Sequence, residues 1–241
     1  MPNTQLKKKF ILTCEHAGNE IPEKYTSLFK GKEEELYSHK GMDFGALRLA
    51  KHLAASINLP LYYSTISRLL VEANRSLDSD ELFSEFTKKL PVKEKETILN
   101  TYYAPHRNQV EEQISNLTAS GYQVIHFAIH TFTPATDGEV RKAAIGILFD
   151  PKRVPEHTIA AQLKEQLTAH VPELHVVYNA PYPGTADGFP TYLRKRFIAE
   201  EYAGFELEVN QKFFLNGEPG IWDNVVAAVT DSLRGVINQN R

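Results

Sequence analysis

Phe10-Ile11-Leu12-Thr13-Cys14-Glu15-His16-Ala17-Gly18-Asn19-Glu20-Ile21-Pro22 begins as a short apolar run and ends as a charged, imidazole-bearing segment rich in turn formers. Open α/β sheets place their chemistry where a strand runs into such a loop, which makes His16 the first candidate functional residue. Outward from this stretch, residues 60–66, 123–129, 144–149, 175–178 and 205–209 are short, β-branched or aromatic, and bounded by turn formers. With residues 10–14 they read as strands. Residues 44–57, 92–117, 156–169, 190–200 and 222–238 are longer and carry apolar positions at helical spacing. Strands alternating with helices predict an α/β fold, a largely parallel or mixed sheet with helices on both faces. The charged segment 81–95 reads as a solvated helical excursion.

A chain of 241 residues with 42% hydrophobic content can bury a substantial core, and a single domain over residues 1–241 is expected. A net charge of −3 and a pI near 6.3 provide no basic field to neutralise a run of phosphates, so a small-molecule ligand is expected and a nucleic acid is not. Cys14 is the single cysteine, which excludes an internal disulfide and a thiolate zinc site. Any metal must therefore be held by His, Asp and Glu. Leu6-Lys7-Lys8-Lys9 precedes too few apolar residues for a signal-peptide core, and no apolar run approaches a membrane span, so a cytoplasmic protein is expected.

Most candidate residues follow the proposed strands: Glu15, His16 and Asn19 the first, Ser67, Arg68, Asn74 and Arg75 the second, His130 and Thr131 the third. In a parallel sheet those ends converge on one edge and can surround one ligand. His126 shares a strand face with His130 and reads as a hydrogen-bonded core histidine, whereas His130 reads as ligand or catalyst. Asp43 precedes a helix and has the position of an N-cap. Grouped with His16 and His130 it completes a two-histidine, one-carboxylate set suited to a catalytic zinc with an open water position, with Glu15 and Glu20 as competing carboxylates. Arg68 and Arg75 either form an internal ion pair with Glu72 or another acid, or grip a ligand carboxylate bidentately. His106 shares a helix face with Tyr102, an arrangement suited to proton transfer, although Pro105 suggests a break there.

Seven ordered blocks carry a resemblance. They are Cys14 through Pro22; His39-Lys40-Gly41-Met42-Asp43-Phe44-Gly45-Ala46; Ser67 through Ser76; Tyr103-Ala104-Pro105-His106; Ile129-His130-Thr131-Phe132-Thr133-Pro134; Ile145 through Asp150; and Asn179-Ala180-Pro181-Tyr182-Pro183-Gly184. In this order they resemble the N-formylglutamate amidohydrolase family over most of the chain. The resemblance implies a phosphorylase/hydrolase-like fold and a zinc-dependent enzyme cleaving the amide bond of an N-formyl or small N-acyl amino acid. It implies His16, Asp43 and His130 as metal ligands, Arg68, Asn74 and Arg75 as substrate-binding residues, Glu208 as general base and His106 as a further catalytic residue. Glu206 is the alternative base, and Glu15 the alternative carboxylate ligand. Two positions depart from the pattern: Asn210 stands where many relatives have Arg, and Glu15 where the enzymes of histidine breakdown more often have Pro. Two other functions accommodate the same residues, a non-catalytic binder of an acidic small molecule and a zinc peptidase or amidase of other specificity.

Overall fold

Alternation along β1 (Lys7–Cys14) sends Phe10, Leu12 and Cys14 to one face of a sheet and Ile11 and Thr13 to the other. The computed structural model describes residues 6–136, 138–215 and 220–240. After β1 come α1 (Glu33–Leu36), α2 (Ala46–Ile57), β2 (Leu61–Tyr63), α3 (Val92–Ile98), α4 (Ala104–Ala119), β3 (Tyr122–Phe132) and a hairpin of β4 (Ala135–Thr136) and β5 (Glu139–Val140). These are followed by β6 (Ile145–Leu148), α5 (Val154–His170), β7 (Val176–Tyr178), α6 (Phe189–Arg196), β8 (Tyr202–Asn210), α7 (Lys212–Leu215) and α8 (Ile221–Gln239).

Six strands form one sheet in the order β2-β1-β3-β8-β6-β7. The first four are parallel, β6 runs antiparallel to β8, and β7 follows β6, so the expected largely parallel or mixed sheet is present. From β1 the chain adds β2 on one side and β3 on the other. That reversal is a topological switch point, and it opens a crevice outside the carboxyl ends of β1 and β3. One face of the sheet packs through Leu12, Phe127, Phe205 and Ile147 against α2, α5 and α8. The other packs Ile11, Val124 and Tyr202 against Val110 and Ile114 of α4 and Phe189 and Leu193 of α6. Among the described residues, no helix is long and apolar enough to cross a membrane.

Some boundaries depart from the sequence expectation. β3 continues to Phe132, so His130 and Thr131 lie inside the strand. The helix expected over residues 190–200 stops at Arg196, because Phe197 is extended and turns its ring toward Tyr202. Residues 92–117 form two α-helices joined by a π-turn at Leu99–Tyr103, with Pro105 in the first turn of α4 where its missing N–H costs no helical bond. The solvated helix expected from residue 81 begins only at Val92. Before it, the hydroxyls of Ser79 and Ser84 accept from the N–H groups of Glu81 and Phe86 and favour turns. Those turns deliver Leu82, Phe83, Phe86 and Leu90 to an apolar cluster with Tyr25, Phe29 and Leu70.

His126 is the core histidine its strand position implies. It is fully buried, with Nε2 2.7 Å from Thr13 Oγ1 and Nδ1 2.8 Å from the Tyr202 hydroxyl. Burial lowers its pKa to about 4. The unfolded chain takes up this proton near pH 6.5 and the native state only near pH 4, so stability falls as pH drops through that window. Between pH 7 and 4.5 the loss assigned to His126 is about 2 to 3 kcal/mol. Urea denaturation of wild type and His126→Gln at both pH values checks this: equal losses in the two proteins would contradict it.

A candidate metal centre and its cavity

Register sets up the site. In the β3–β8 pair, His130 stands beside Glu208 and Ala128 beside Glu206, while the intervening Phe205, Leu207 and Val209 point into the opposite core. At the carboxyl end of β3, His130, Glu206 and Glu208 join His16, Asp43 and Arg75 around a cavity of about 220 Å³. Gly146 of β6 is the register partner of Glu208, and a Cβ there would run into the Ala180 carbonyl. The glycine lets the loop over residues 179–188 close in, bringing Tyr182, Pro183 and Asp187 to the cavity wall.

Asp43 is the meeting point of the two histidines. Its Oδ2 lies 3.3 Å from His16 Nδ1 and 2.9 Å from His130 Nδ1. The Asp43 N–H donates to the His16 carbonyl at 3.1 Å, which joins the two loops covalently distant in sequence. N-capping, the other role open to Asp43, belongs to Gly45, whose φ of 84° suits glycine, and the Asp43 side chain is free for the histidines. Burial opposes ionisation of Asp43, yet the two imidazoles outweigh it and hold the carboxyl far below the usual range. Burial likewise works against charge on His130, and hydrogen bonds to Asp43 and Glu15 reverse it, raising the pKa well above the ordinary value.

The outer nitrogens of both rings also face carboxylates. His16 Nε2 meets Glu72 Oε1, and Glu72 is in turn held by Arg68 Nε at 2.6 Å and the Asn74 N–H at 3.0 Å. His130 Nε2 lies 3.1 Å from Glu15 Oε2. Glu72 was visible in the sequence only as an ion-pair partner for Arg68; its contact with His16 spans 56 positions and has no local signature. The competing carboxylate Glu20 accepts from the Thr65 hydroxyl at 2.7 Å and is exposed, outside the cluster.

The remaining sequence-derived residues divide. Arg68 lines the cavity but is committed internally, to Glu72 and, at 3.5 Å, to Asp43 Oδ1. Arg75 also lines it, with Nε on the exposed Glu81 at 2.8 Å and Nη1 on the Asp187 carbonyl at 3.2 Å. Asn74 spends its amide on Glu206 Oε1 at 2.7 Å and its carbonyl on the Phe189 N–H. Glu206 is thereby tethered, whereas Glu208 Oε2 is buried with no hydrogen-bonding partner among the described residues. Burial raises the Glu208 carboxyl to about 8, against the opposing pull of His130. His106 departs from expectation: it is buried behind His130, its Nε2 3.3 Å from Glu15 Oε1, and it does not line the cavity.

Two imidazoles and a carboxylate, all buried and with ligand atoms within 4.8 Å of one another, are a donor set that fits zinc. Three buried carboxylates, Asp43, Glu15 and Glu72, surround those imidazoles beside one guanidinium and raise the imidazole pKa values, so a bound cation would take the place of the protons that the carboxylates hold there.

The model of the N-formylglutamate amidohydrolase family matches residues 8–215. No curated protein sequence matches the chain. A solved gene product from Agrobacterium tumefaciens is 26% identical, with a TM-score of 0.78 over 97% of this chain and 92% of that one. An N-formylglutamate amidohydrolase from Ralstonia eutropha JMP134 has a TM-score of 0.72 at 16% identity, covering 98% of this chain and 97% of that one, a likeness of fold. With a family match running from β1 to α7, across every strand of the sheet and the whole cavity, this chain belongs to the N-formylglutamate amidohydrolase family of hydrolases acting on amides.

Proposed function

We propose that the protein hydrolyses the amide bond of an N-formyl or small N-acyl amino acid, with zinc held by His16, Asp43 and His130. The observation that carries this reading is the convergence of two imidazole Nδ1 atoms on Asp43 Oδ2 beside a buried carboxyl, Glu208, that has no hydrogen-bonding partner among the described residues. When bound, zinc supplies Lewis acidity that polarises the acyl carbonyl and makes water acidic enough to attack near neutral pH. Glu208 accepts the water proton on Oε2 and returns it to the departing nitrogen, so that acid and amine leave as products. Burial raises its pKa to about 8 in the metal-free protein, and a cation held at His16, Asp43 and His130 would pull it down, leaving the carboxylate that accepts a proton near neutral pH. Glu206 is the weaker choice of base, since Asn74 occupies one of its oxygens. Arg68, on the cavity wall where His106 is not, offsets negative charge developing on the acyl oxygen. Arg75 holds the substrate carboxylate, and Asn74 contributes by fixing Glu206 at the wall.

The test is release of formate or acetate from a panel of N-formyl and N-acetyl amino acids after chelation and zinc restoration. Turnover of formylated acidic amino acids, lost with chelator and regained with zinc, is expected. Ligand binding by calorimetry with no product from any substrate would overturn the proposal in favour of a binding protein. Arg75→Met is expected to raise KM by about 10- to 100-fold with a smaller change in kcat, the effect of losing one charge-assisted hydrogen bond to a carboxylate. An unchanged KM would remove Arg75 from the substrate site.

A further inference from the structure

Glu15 is the least accounted-for charge in the molecule. It is about 1% exposed, lies just past the end of β1, and does not line the cavity, so neither solvent nor substrate reaches it. Placing a carboxylate there is costly unless neighbouring donors satisfy it. Two neighbours stand in position: Oε2 lies 3.1 Å from His130 Nε2 and Oε1 lies 3.3 Å from His106 Nε2. Glu15 Oε2 and His130 Nε2 are both buried and make no well-directed hydrogen bond to any described residue, so each has the other, 3.1 Å away, as its facing polar atom. Across the site the pattern repeats, with Glu72 against His16 Nε2 and Arg68 holding Glu72 as His106 holds Glu15.

An ionised carboxylate only accepts, so the ring nitrogen facing it must carry hydrogen. Nδ1 of both histidines faces the Asp43 carboxylate and by the same rule carries hydrogen in the metal-free protein; a bound cation would displace that hydrogen, and an imidazole that keeps its hydrogen on Nε2 then offers the Nδ1 lone pair. We propose that Glu15 is a positioning residue for the metal centre: backed by His106, it fixes His130 as the Nε2–H tautomer with Nδ1 presented to the metal, as Glu72 does for His16. This rests on the metal-site reading above. His106 thereby acts through Glu15 and His130 and has no contact with substrate.

Glu15→Gln keeps the shape but provides one acceptor and one donor for two histidines that both need an acceptor. Zinc affinity, measured by competition with a chromogenic chelator, is expected to fall about 10- to 100-fold. The His130 Nε2–H proton, expected as a downfield, exchange-protected NMR resonance in the zinc-loaded wild type, should lose that protection, while the corresponding His16 resonance keeps it. Affinity within twofold of wild type in a folded Glu15→Gln protein overturns the inference and leaves the metal site standing. A wild-type protein that binds no zinc overturns both. Should Glu15→Gln fail to fold, His106→Gln carries the test, with a several-fold loss of zinc affinity expected and an unchanged affinity counting against the relay.

Discussion

Replacing Glu208 by glutamine is expected to lower kcat by about 10²- to 10⁴-fold, the range for removing a general base, while zinc affinity stays near wild type. Glutamine preserves the shape of the side chain opposite His130 but cannot take a proton. The same substitution should stabilise the zinc-free protein. The native carboxyl holds its proton up to about pH 8, whereas the unfolded one releases it near 4.5, so at pH 7 folding requires uptake of a proton. That penalty, on the order of 3 kcal/mol, disappears with a neutral amide. Steady-state kinetics and urea denaturation at pH 7 measure the two halves independently. Full activity in Glu208→Gln, with the loss appearing in Glu206→Gln, would transfer the base to Glu206. A raised stability with lost turnover would mark Glu208 as a site where function is retained at the expense of folding.

Asp43→Ala should weaken zinc binding by more than about 100-fold, beyond the range for residues that only support a ligand, and abolish turnover at ordinary zinc concentrations. Asp43 Oδ2 is the one atom that both Nδ1 nitrogens face, so its removal takes away the anionic corner of the set. It also leaves Arg68 Nη1 without one of its two carboxylates, although Glu72 still holds Arg68 through Nε. The competing outcome is specific. If Asp43→Ala binds zinc normally and Glu72→Gln does not, the carboxylate ligand is Glu72 and Asp43 is its support. Chelator competition on both variants distinguishes the two.

Much of the architecture was legible because its signal is local. Short β-branched runs alternating with helical ones lead to a sheet covered on both faces, and the face shared by His126 and His130 follows from a period of two. His16, Asp43 and His130 were identifiable as a group because strand ends converge at a switch point whatever the lengths of the connections between them. Tertiary contacts add what local pattern lacks. The charged stretch after residue 80 reads as solvated, yet its apolar residues cap a separate cluster. His106, which its phenol neighbours on the helix mark for proton transfer or substrate hydrogen bonding, is turned by the fold toward Glu15.

The sequence by itself determined the fold class, the family and the chemical types brought to one sheet edge. Those properties depend on hydrophobic period, turn residues and the order of motifs along the chain. Tertiary structure alone decided which nitrogen of each histidine faces inward, which carboxylates stand behind them, and which glutamate of β8 is free. These are matters of distances near 3 Å between residues 27 to 132 positions apart, set by strand register and loop closure. A hydrogen bond responds to such distances steeply, whereas the periodicity of a sequence does not encode them.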